Sequence, residues 1–191
     1  MTERGSTRDA LLDAAYDAAV TGDWAGTRML DVARAAGVSR QTLYNEFGSK
    51  DALAAALAMR EAARFIEDTE HALDDAHPDG PIQAIAAAAL STLQRAADHP
   101  LLKAALVDDN GGLLSYLTTR GEPVVSAARA SFETYYATHW PELSAESIAL
   151  AAEAITRLTL SYIVLPAAVP AETIASQFAE LARKLLREER P

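Results

Sequence analysis

The chain has 191 residues, a formal net charge of −10 and no cysteine, and half of its residues are hydrophobic. This length and apolar content are sufficient for a buried core, and the absence of cysteine excludes disulfides, thiolate metal sites and thiol nucleophiles. The acidic balance excludes a protein that coats nucleic acid by charge alone. Residues 2–9 are mostly polar, so we expect no secretory signal and a cytoplasmic location.

The acidic charge is unevenly distributed along the chain. Residues 1–50 hold six Lys or Arg and seven Asp or Glu, so almost all of the net negative charge lies beyond residue 50. An anionic partner is therefore expected to meet the N-terminal segment.

Apolar residues recur at helical spacing along almost the whole chain, which predicts an all-α protein of about ten helices. The first three helices fall within residues 1–50, and the second and third end at Gly37 and Gly48. The third begins at Ser39. A long fourth helix is capped by Ser49, because serine oxygens accept hydrogen bonds from the first free amides of a helix.

The rest of the chain is divided by turn clusters at residues 77–81 and 110–112. The last two helices of the chain are predicted at residues 144–165 and 170–188. The apolar run 148–168 contains Glu153 and Arg157, so it predicts a buried helix and not a membrane span, and no membrane partner is expected. Glu153 and Arg157 either neutralise each other, or Arg157 binds the anionic group of a ligand.

Residues 27–53 are the most informative segment. Two short helices that cross steeply need a small residue at the crossing and a left-handed residue in the turn, which are Ala33 and Gly37 here. The apolar seal between the helices then consists of Val32, Ala36, Val38, Leu43 and Phe47. The outward side chains are polar and suit a major groove, although a plain solvated helix is the alternative: Arg40, Gln41, Thr42, Tyr44 and Asn45.

The pattern Val32-Ala33-x-x-Ala36-Gly37-Val38-Ser39-x-x-Thr42-Leu43-Tyr44-x-x-Phe47-x-Ser49-Lys50-Asp51-Ala52-Leu53 resembles the signature of the TetR family of transcriptional regulators. The resemblance covers roughly the first quarter of the chain. It implies a three-helix, helix-turn-helix DNA-binding domain at residues 1–50. It also implies a helical ligand-binding and dimerisation domain at residues 51–191, and a homodimer that binds double-stranded operator DNA.

The resemblance also implies roles for individual residues. Thr27, Thr42, Tyr44 and Lys50 are expected at the DNA backbone, and Arg40, Gln41 and Asn45 are our candidates for reading bases. The full set of DNA-binding candidates is Thr27, Arg28, Ser39, Arg40, Gln41, Thr42, Tyr44, Asn45 and Lys50.

The last two predicted helices are apolar over much of their circumference, which indicates either a dimer interface or an ordinary monomer core. The interface candidates are Ile148, Ile155, Ile174, Phe178, Leu181 and Leu185. The effector candidates, for a mostly apolar compound such as a fatty acid or a similar long-chain molecule, are Tyr116, Phe132, Tyr136, Arg157 and Tyr162.

The interpretation is a ligand-responsive, sequence-specific regulator: a repressor that a small apolar effector releases from its operator. The alternative is a helical protein that binds or sequesters a ligand without DNA function. We expect no enzymatic activity, since the sequence has no nucleophile elbow, phosphate loop or dinucleotide fingerprint. The four histidines are scattered, so neither a metal nor another cofactor is expected.

Overall fold

The computed structural model describes residues 3–21, 24–107 and 112–187, with side chains from residue 7 onward. Within these ranges the regular structure is helical, which confirms the predicted all-α class. The α-helices are α1 (Glu3–Val20), α2 (Met29–Ala35), α3 (Arg40–Phe47), α4 (Lys50–Ala76), α5 (Pro81–Asp98), α6 (Pro100–Val107), α7 (Glu122–His139), α8 (Ala145–Val164) and α9 (Ala171–Leu185). Among the described residues, short 3-10 helices span His77–Asp79 and Leu114–Leu117.

The apolar spacing after the turn cluster at 110–112 predicts a brief helix over residues 113–120, but only a four-residue 3-10 helix forms there. The side chain of Ser115 donates to the carbonyl oxygen of Gly112 at 2.6 Å, and that of Thr118 donates to the carbonyl oxygen of Leu114 at 3.0 Å. Hydroxyl groups that bond to nearby backbone compete with helix formation, and β-branched residues such as Thr118 and Thr119 lose rotamer freedom in a helix. The segment therefore stays a tight turn.

The first compact unit comprises Met1–Glu61 and His99–Arg120. In it α1 contacts α2 and α6, and α2 contacts α3. Its core includes Leu11, Trp24, Val32, Leu43, Leu53, Leu57, Leu101 and Tyr116. The predicted division after residue 50 differs from this one, because the first turns of α4 and the segment 99–120 share a core with α1–α3.

A charged network fixes α1 against α4 within the first unit. Arg60 donates to the carboxylate of Asp13 at 2.7 Å and to the carbonyl oxygen of Leu12 at 3.2 Å. It also lies 3.1 Å from the carboxylate of Glu61, which is only 7% exposed. A buried carboxylate is costly unless it is paired, so this network stabilises one arrangement of the two helices.

The second unit comprises Ala62–Asp98 and Gly121–Pro191. Within it α5 packs most extensively against α9, and α7 packs against α8. Aromatic rings fill the core beside α7: Phe132 stacks on Tyr136 with ring centroids 4.3 Å apart, and Tyr136 lies 4.6 Å from Trp140.

Among the residues that the structure describes, α8 is the one helix whose length and composition would allow it to cross a membrane. One face of α8 lies in the core of the second unit, with Ile148, Ala151 and Ile155 buried. Only 28% of its most apolar window is buried within the chain, so much apolar surface remains on its outer face.

Candidate nucleic-acid interface

The turn between α2 and α3 has the geometry that the sequence predicts. Gly37 has a φ of +69°, in the left-handed region that favours glycine, and the amide of Val38 donates to the carbonyl oxygen of Ala33 at 2.9 Å. Gly48 ends α3 with a φ of +72°, and its amide donates to the carbonyl oxygen of Tyr44. The helix α3 therefore ends where the sequence predicts.

The apolar seal beneath α3 is also confirmed. Of the residues of this seal, Val32, Leu43 and Phe47 are buried, and Ala36 and Val38 are half-buried. Ala33, at the crossing of the two helices, is also buried. Leu43 and Phe47 lie four residues apart on one face of the helix, so burying both fixes which side of α3 points outward.

The outward face of α3 is polar, as predicted. Arg40, Gln41 and Asn45 are exposed, Tyr44 is 36% exposed, and Thr42 is half-buried. These side chains offer hydrogen-bond donors and acceptors, which base edges in a major groove require.

The outward side chains are paired along the helix. The guanidinium carbon of Arg40 lies 5.1 Å from the centroid of the Tyr44 ring, and the amide nitrogen of Gln41 donates to the side-chain oxygen of Asn45 at 2.7 Å. Both pairs have the i, i+4 spacing that brings helical side chains together. The face is therefore partly ordered before any ligand contacts it.

Ser39 caps α3 as predicted. Its hydroxyl accepts from the amide of Thr42 at 3.0 Å, and the two hydroxyl oxygens are 2.9 Å apart. This cap holds both side chains at the start of the helix, where the positive end of the helix dipole favours anions.

The sequence predicts Thr27 as the N-cap of the second helix, and the structure begins α2 one residue later. Arg28, not Thr27, is the N-cap, and its backbone amide donates to the carboxylate of Asp31 at 3.3 Å. An acid at the third helical position stabilises the start of a helix, which explains the shift. The side chain of Arg28 is exposed and Thr27 is half-buried.

The structure gives Lys50 contacts within the chain, whereas its contact with phosphate stays a prediction. Its ammonium donates to the backbone carbonyl oxygens of Trp24 and Ala25, the latter at 3.0 Å, and lies 5.0 Å from the centroid of a Trp24 ring. These contacts attach the first turn of α4 to the segment before α2. Because a lysine has only three N–H donors, these bonds compete with a phosphate contact.

Tyr116, predicted to contact an effector, belongs to the first unit. Its hydroxyl donates to the carboxylate and the backbone oxygen of Asp51, and the guanidinium of Arg120 lies 2.6 Å from the same carboxylate. The hydrogen bonds from Arg120 and Tyr116 lower the pKa of Asp51. Burial, followed by the bond to Asp51, raises the pKa of Tyr116. Tyr116 thus has hydrogen bonds within the first unit, and its contact with an effector stays a prediction.

The other aromatic effector candidates lie in the second unit. Phe132 and Tyr162 are half-buried against its core. Tyr136 is fully buried, and its hydroxyl donates to the carbonyl oxygen of Pro81 at 2.7 Å. Burial raises the pKa of Tyr136. The hydroxyl of Tyr136 thus has a structural hydrogen bond, and a contact of its ring with a ligand stays a prediction.

The alternatives for Glu153 and Arg157 resolve in favour of a pair. The guanidinium of Arg157 donates to the carboxylate of Glu153, which lowers the pKa of Glu153 and raises that of Arg157. A nitrogen of Arg129 also lies 2.8 Å from the Glu153 carboxylate. Arg157 is therefore neutralised within the chain, and its role with an anionic ligand stays a prediction.

Four predicted interface residues belong to the core of their own subunit. Ile148, Ile155, Ile174 and Phe178 are each 7% exposed or less, and Leu181 and Leu185 pack partly against the same core. Helical periodicity identifies a buried face but cannot tell which surface buries it. The exposed apolar residues of α8 and its following segment are Leu150, Leu158, Leu165 and Val169.

Two ion pairs beside α3 and α4 were missed by sequence analysis. Arg120 pairs with Asp51 across 69 positions, and Arg8 pairs with Glu46 across 38 positions. No local sequence signal links residues that far apart, since such pairs form only once helices pack.

Two family descriptions match this chain. Residues 11–57 match "Bacterial regulatory proteins, tetR family", and residues 81–184 match "Bacterial Tetracyclin repressor, C-terminal domain". Together they span most of the chain, including the helix-turn-helix and the second unit.

Individual relatives agree with this assignment. The chain is 37% identical to the HTH-type transcriptional regulator AlkX of Mycobacterium tuberculosis over 164 residues, which are 85% of this chain and 77% of the relative. A crystal structure of the TetR family repressor AlkX from a Dietzia species, implicated in biodegradation of n-alkanes, is 28% identical. It superposes with a TM-score of 0.77 and covers 93% of this chain and 98% of that one. A TetR-family regulator from Pectobacterium atrosepticum, 20% identical, shares the fold with a TM-score of 0.69 over 100% of this chain and 99% of its own.

The fold and the exposed α3 define a helix-turn-helix DNA-binding protein. The chain belongs to the TetR family of bacterial transcriptional regulators. It is a ligand-responsive DNA-binding regulator, and the alternative of a binding protein without DNA function receives no support from these matches. Regulators of this family bind operator DNA, dimerise and bind small-molecule effectors.

Proposed function

We propose that this protein is a cytoplasmic, non-enzymatic repressor whose α3 reads an operator and which a small, mostly apolar effector releases. The observation that carries the proposal is the polar face of α3 over a buried apolar seal. Dimers that use this motif place two recognition helices about 34–36 Å apart, in successive major grooves. The functional division follows the predicted one, with residues 1–50 for DNA and residues 51–191 for the effector and the partner subunit.

Arg40, Gln41 and Asn45 are the proposed base-reading residues. Arginine recognises guanine and Asn or Gln recognises adenine, each with two hydrogen bonds in the major groove. The bond between Gln41 and Asn45 supports this role, because it limits the rotamers that must be ordered on binding. Contacts with the phosphate backbone of the DNA are proposed for the side chains beside this face, which are Thr27, Arg28, Ser39, Thr42 and Tyr44.

The exposed apolar face of α8 is the proposed contact with a second copy of the chain. Leu150 is 54% exposed and lies opposite the buried face of α8, and Leu158 is 39% exposed at the border of that face. Exposed apolar surface of this extent favours a protein interface, and a two-fold dimer buries the same patch on both subunits. Leu181 and Leu185 are proposed at the edge of that interface.

The proposed effector is a long-chain apolar compound, such as an alkane or a fatty acid. The name of the Dietzia relative, implicated in n-alkane biodegradation, supports this class. The half-buried rings of Phe132 and Tyr162 in the second unit supply apolar contacts. The effector must bind the released conformation more tightly than the DNA-bound one, since equal affinity for both shifts nothing.

A mobility-shift assay with the DNA upstream of the protein's own coding sequence tests the proposal. We expect a retarded complex that hexadecane or hexadecanoic acid dissociates, and a higher melting temperature with the same compound. Arg40→Ala should weaken operator binding more than binding to random duplex, with Arg183→Ala on α9 as the charge-matched control. Equal losses on both duplexes remove Arg40 from the base-reading set, and no complex at all rejects the repressor.

A further inference from the structure

The helix α3 carries one carboxylate, and a basic residue of α1 neutralises it. Glu46 is the sole acid among the eight residues of α3. The guanidinium of Arg8 donates to its carboxylate at 2.7 Å, and the side chain of Glu46 remains 31% exposed. A carboxylate on a helix that enters a groove repels the DNA phosphates, so this ion pair removes a charge that opposes binding.

A second contact holds Arg8 in this place. Its guanidinium carbon lies 4.7 Å from the ring centroid of Phe47, which is the residue that seals the end of α3 against the core. A planar guanidinium stacks on an aromatic ring while its edge donates to a carboxylate. Arg8 therefore joins α1 to two consecutive residues at the end of α3.

We propose that Arg8 is a positioning residue for operator binding, acting through Glu46 and Phe47 and not through its own phosphate contact. The inference rests on the proposed role of α3 as the helix that reads DNA. With Arg8 in place, the flank of α3 that carries Glu46 meets DNA as a neutral ion pair. Without Arg8, the same flank presents a full negative charge.

Operator dissociation constants of four proteins test this: the unchanged chain, Arg8→Ala, Glu46→Gln and the double variant. We expect Arg8→Ala to weaken operator binding about tenfold, because the freed carboxylate of Glu46 then repels the DNA phosphates across a hydrated interface. Glu46→Gln should stay within about twofold of the unchanged chain. The double variant should recover more than half of the loss on a logarithmic scale, because it has no carboxylate left to neutralise.

Matched controls separate this effect from net charge and from folding. Arg183→Ala removes one positive charge from the exposed side of α9 and should change operator affinity less than twofold. Melting temperatures are measured for every variant. Should Arg8→Ala fail to fold, Arg8→Gln and Arg8→Gln/Glu46→Gln replace it, since glutamine keeps an apolar stem over the ring of Phe47.

Two outcomes overturn the inference. Unchanged affinity in Arg8→Ala means that the ion pair is irrelevant to DNA, and an equally weak double variant means that the loss does not come from the freed carboxylate of Glu46. Arg40→Ala and Gln41→Ala distinguish this failure from that of the proposed function. If both leave operator binding unchanged, α3 is not the reading helix; if they weaken binding while Arg8→Ala does not, only the role of Arg8 is rejected.

Discussion

The hydroxyl of Tyr116 donates to Asp51 in the first turn of α4, at 2.9 Å from the carboxylate and 2.8 Å from the backbone oxygen. Tyr116 comes from the 3-10 helix after α6 and is 8% exposed. Arg120 completes the cluster with a bond to the same carboxylate. The residues that directly follow α3 along the chain are therefore held by a segment more than sixty positions away.

Removing the Tyr116 hydroxyl tests how much this contact stabilises the first unit. We expect Tyr116→Phe to lower the free energy of unfolding by about 1 kcal/mol, the usual net value of one hydrogen bond. Denaturant titration followed by circular dichroism measures the change. Tyr44→Phe, at an exposed ring on α3, should change stability by less than about 0.5 kcal/mol. A loss no greater than this control contradicts the role of the hydroxyl.

The ion pair between Asp51 and Arg120 predicts a pH dependence. The bonds from Arg120 and Tyr116 hold the pKa of Asp51 below its ordinary value of 3.8, so the folded state favours the ionised carboxylate. Its contribution to stability is present above that value and is lost as pH falls through the lower folded pKa. Asp51→Asn should therefore be less stable than the unchanged chain at neutral pH, and the difference should shrink below about pH 4. A difference that stays constant from pH 7 to pH 3 contradicts this account.

Sequence patterns predicted the helix-turn-helix closely because its determinants are local. The left-handed turn at Gly37, the cap at Ser39 and the buried pair Leu43 and Phe47 all follow from neighbouring residues in the chain. All of these features lie between residues 37 and 47, where periodicity and capping chemistry are reliable guides.

The same patterns could not assign partners to apolar or charged residues that meet through tertiary packing. Ile155 and Phe178 have the periodicity of an interface, yet they fill the core of their own subunit. Nothing in the sequence around Tyr116 predicts its hydrogen bond to Asp51, which forms only when the first unit packs. Periodicity gives the direction of a side chain relative to its helix, and only packing determines what it meets.

Lys50 offers a test that separates a structural role from a DNA contact. Its ammonium donates to the carbonyl oxygens of Trp24 and Ala25. We expect Lys50→Met, which keeps the apolar stem, to lower the free energy of unfolding by about 1 kcal/mol, because it removes charge-assisted bonds at a half-buried site. The salt dependence of binding to random DNA should keep its slope. Lys184→Met, on the exposed side of α9, is the control for net charge.

A fall in that slope by about one would contradict this view of Lys50, because it is the signature of one lost phosphate contact. A simple loss of affinity with an unchanged slope has a different meaning. It shows that the segment before α2 has lost its attachment to α4 and that the helix-turn-helix is less well ordered.

The outer face of α8 predicts how the dimer can be broken without unfolding the subunit. Leu158 is 39% exposed, whereas Ile155, three residues earlier, is buried in the subunit core. A charge at position 158 should leave the monomer folded but place one unpaired carboxylate in the interface from each subunit, since a two-fold axis repeats every change. We therefore expect Leu158→Glu to raise the dimer dissociation constant at least about a hundredfold. Sedimentation equilibrium measures this constant, and circular dichroism should show unchanged helix content.

Gln83→Glu, at an exposed position of α5, introduces the same charge away from this face and should leave the dimer intact. A Leu158→Glu protein that remains dimeric at low micromolar concentration would place the interface elsewhere on the chain.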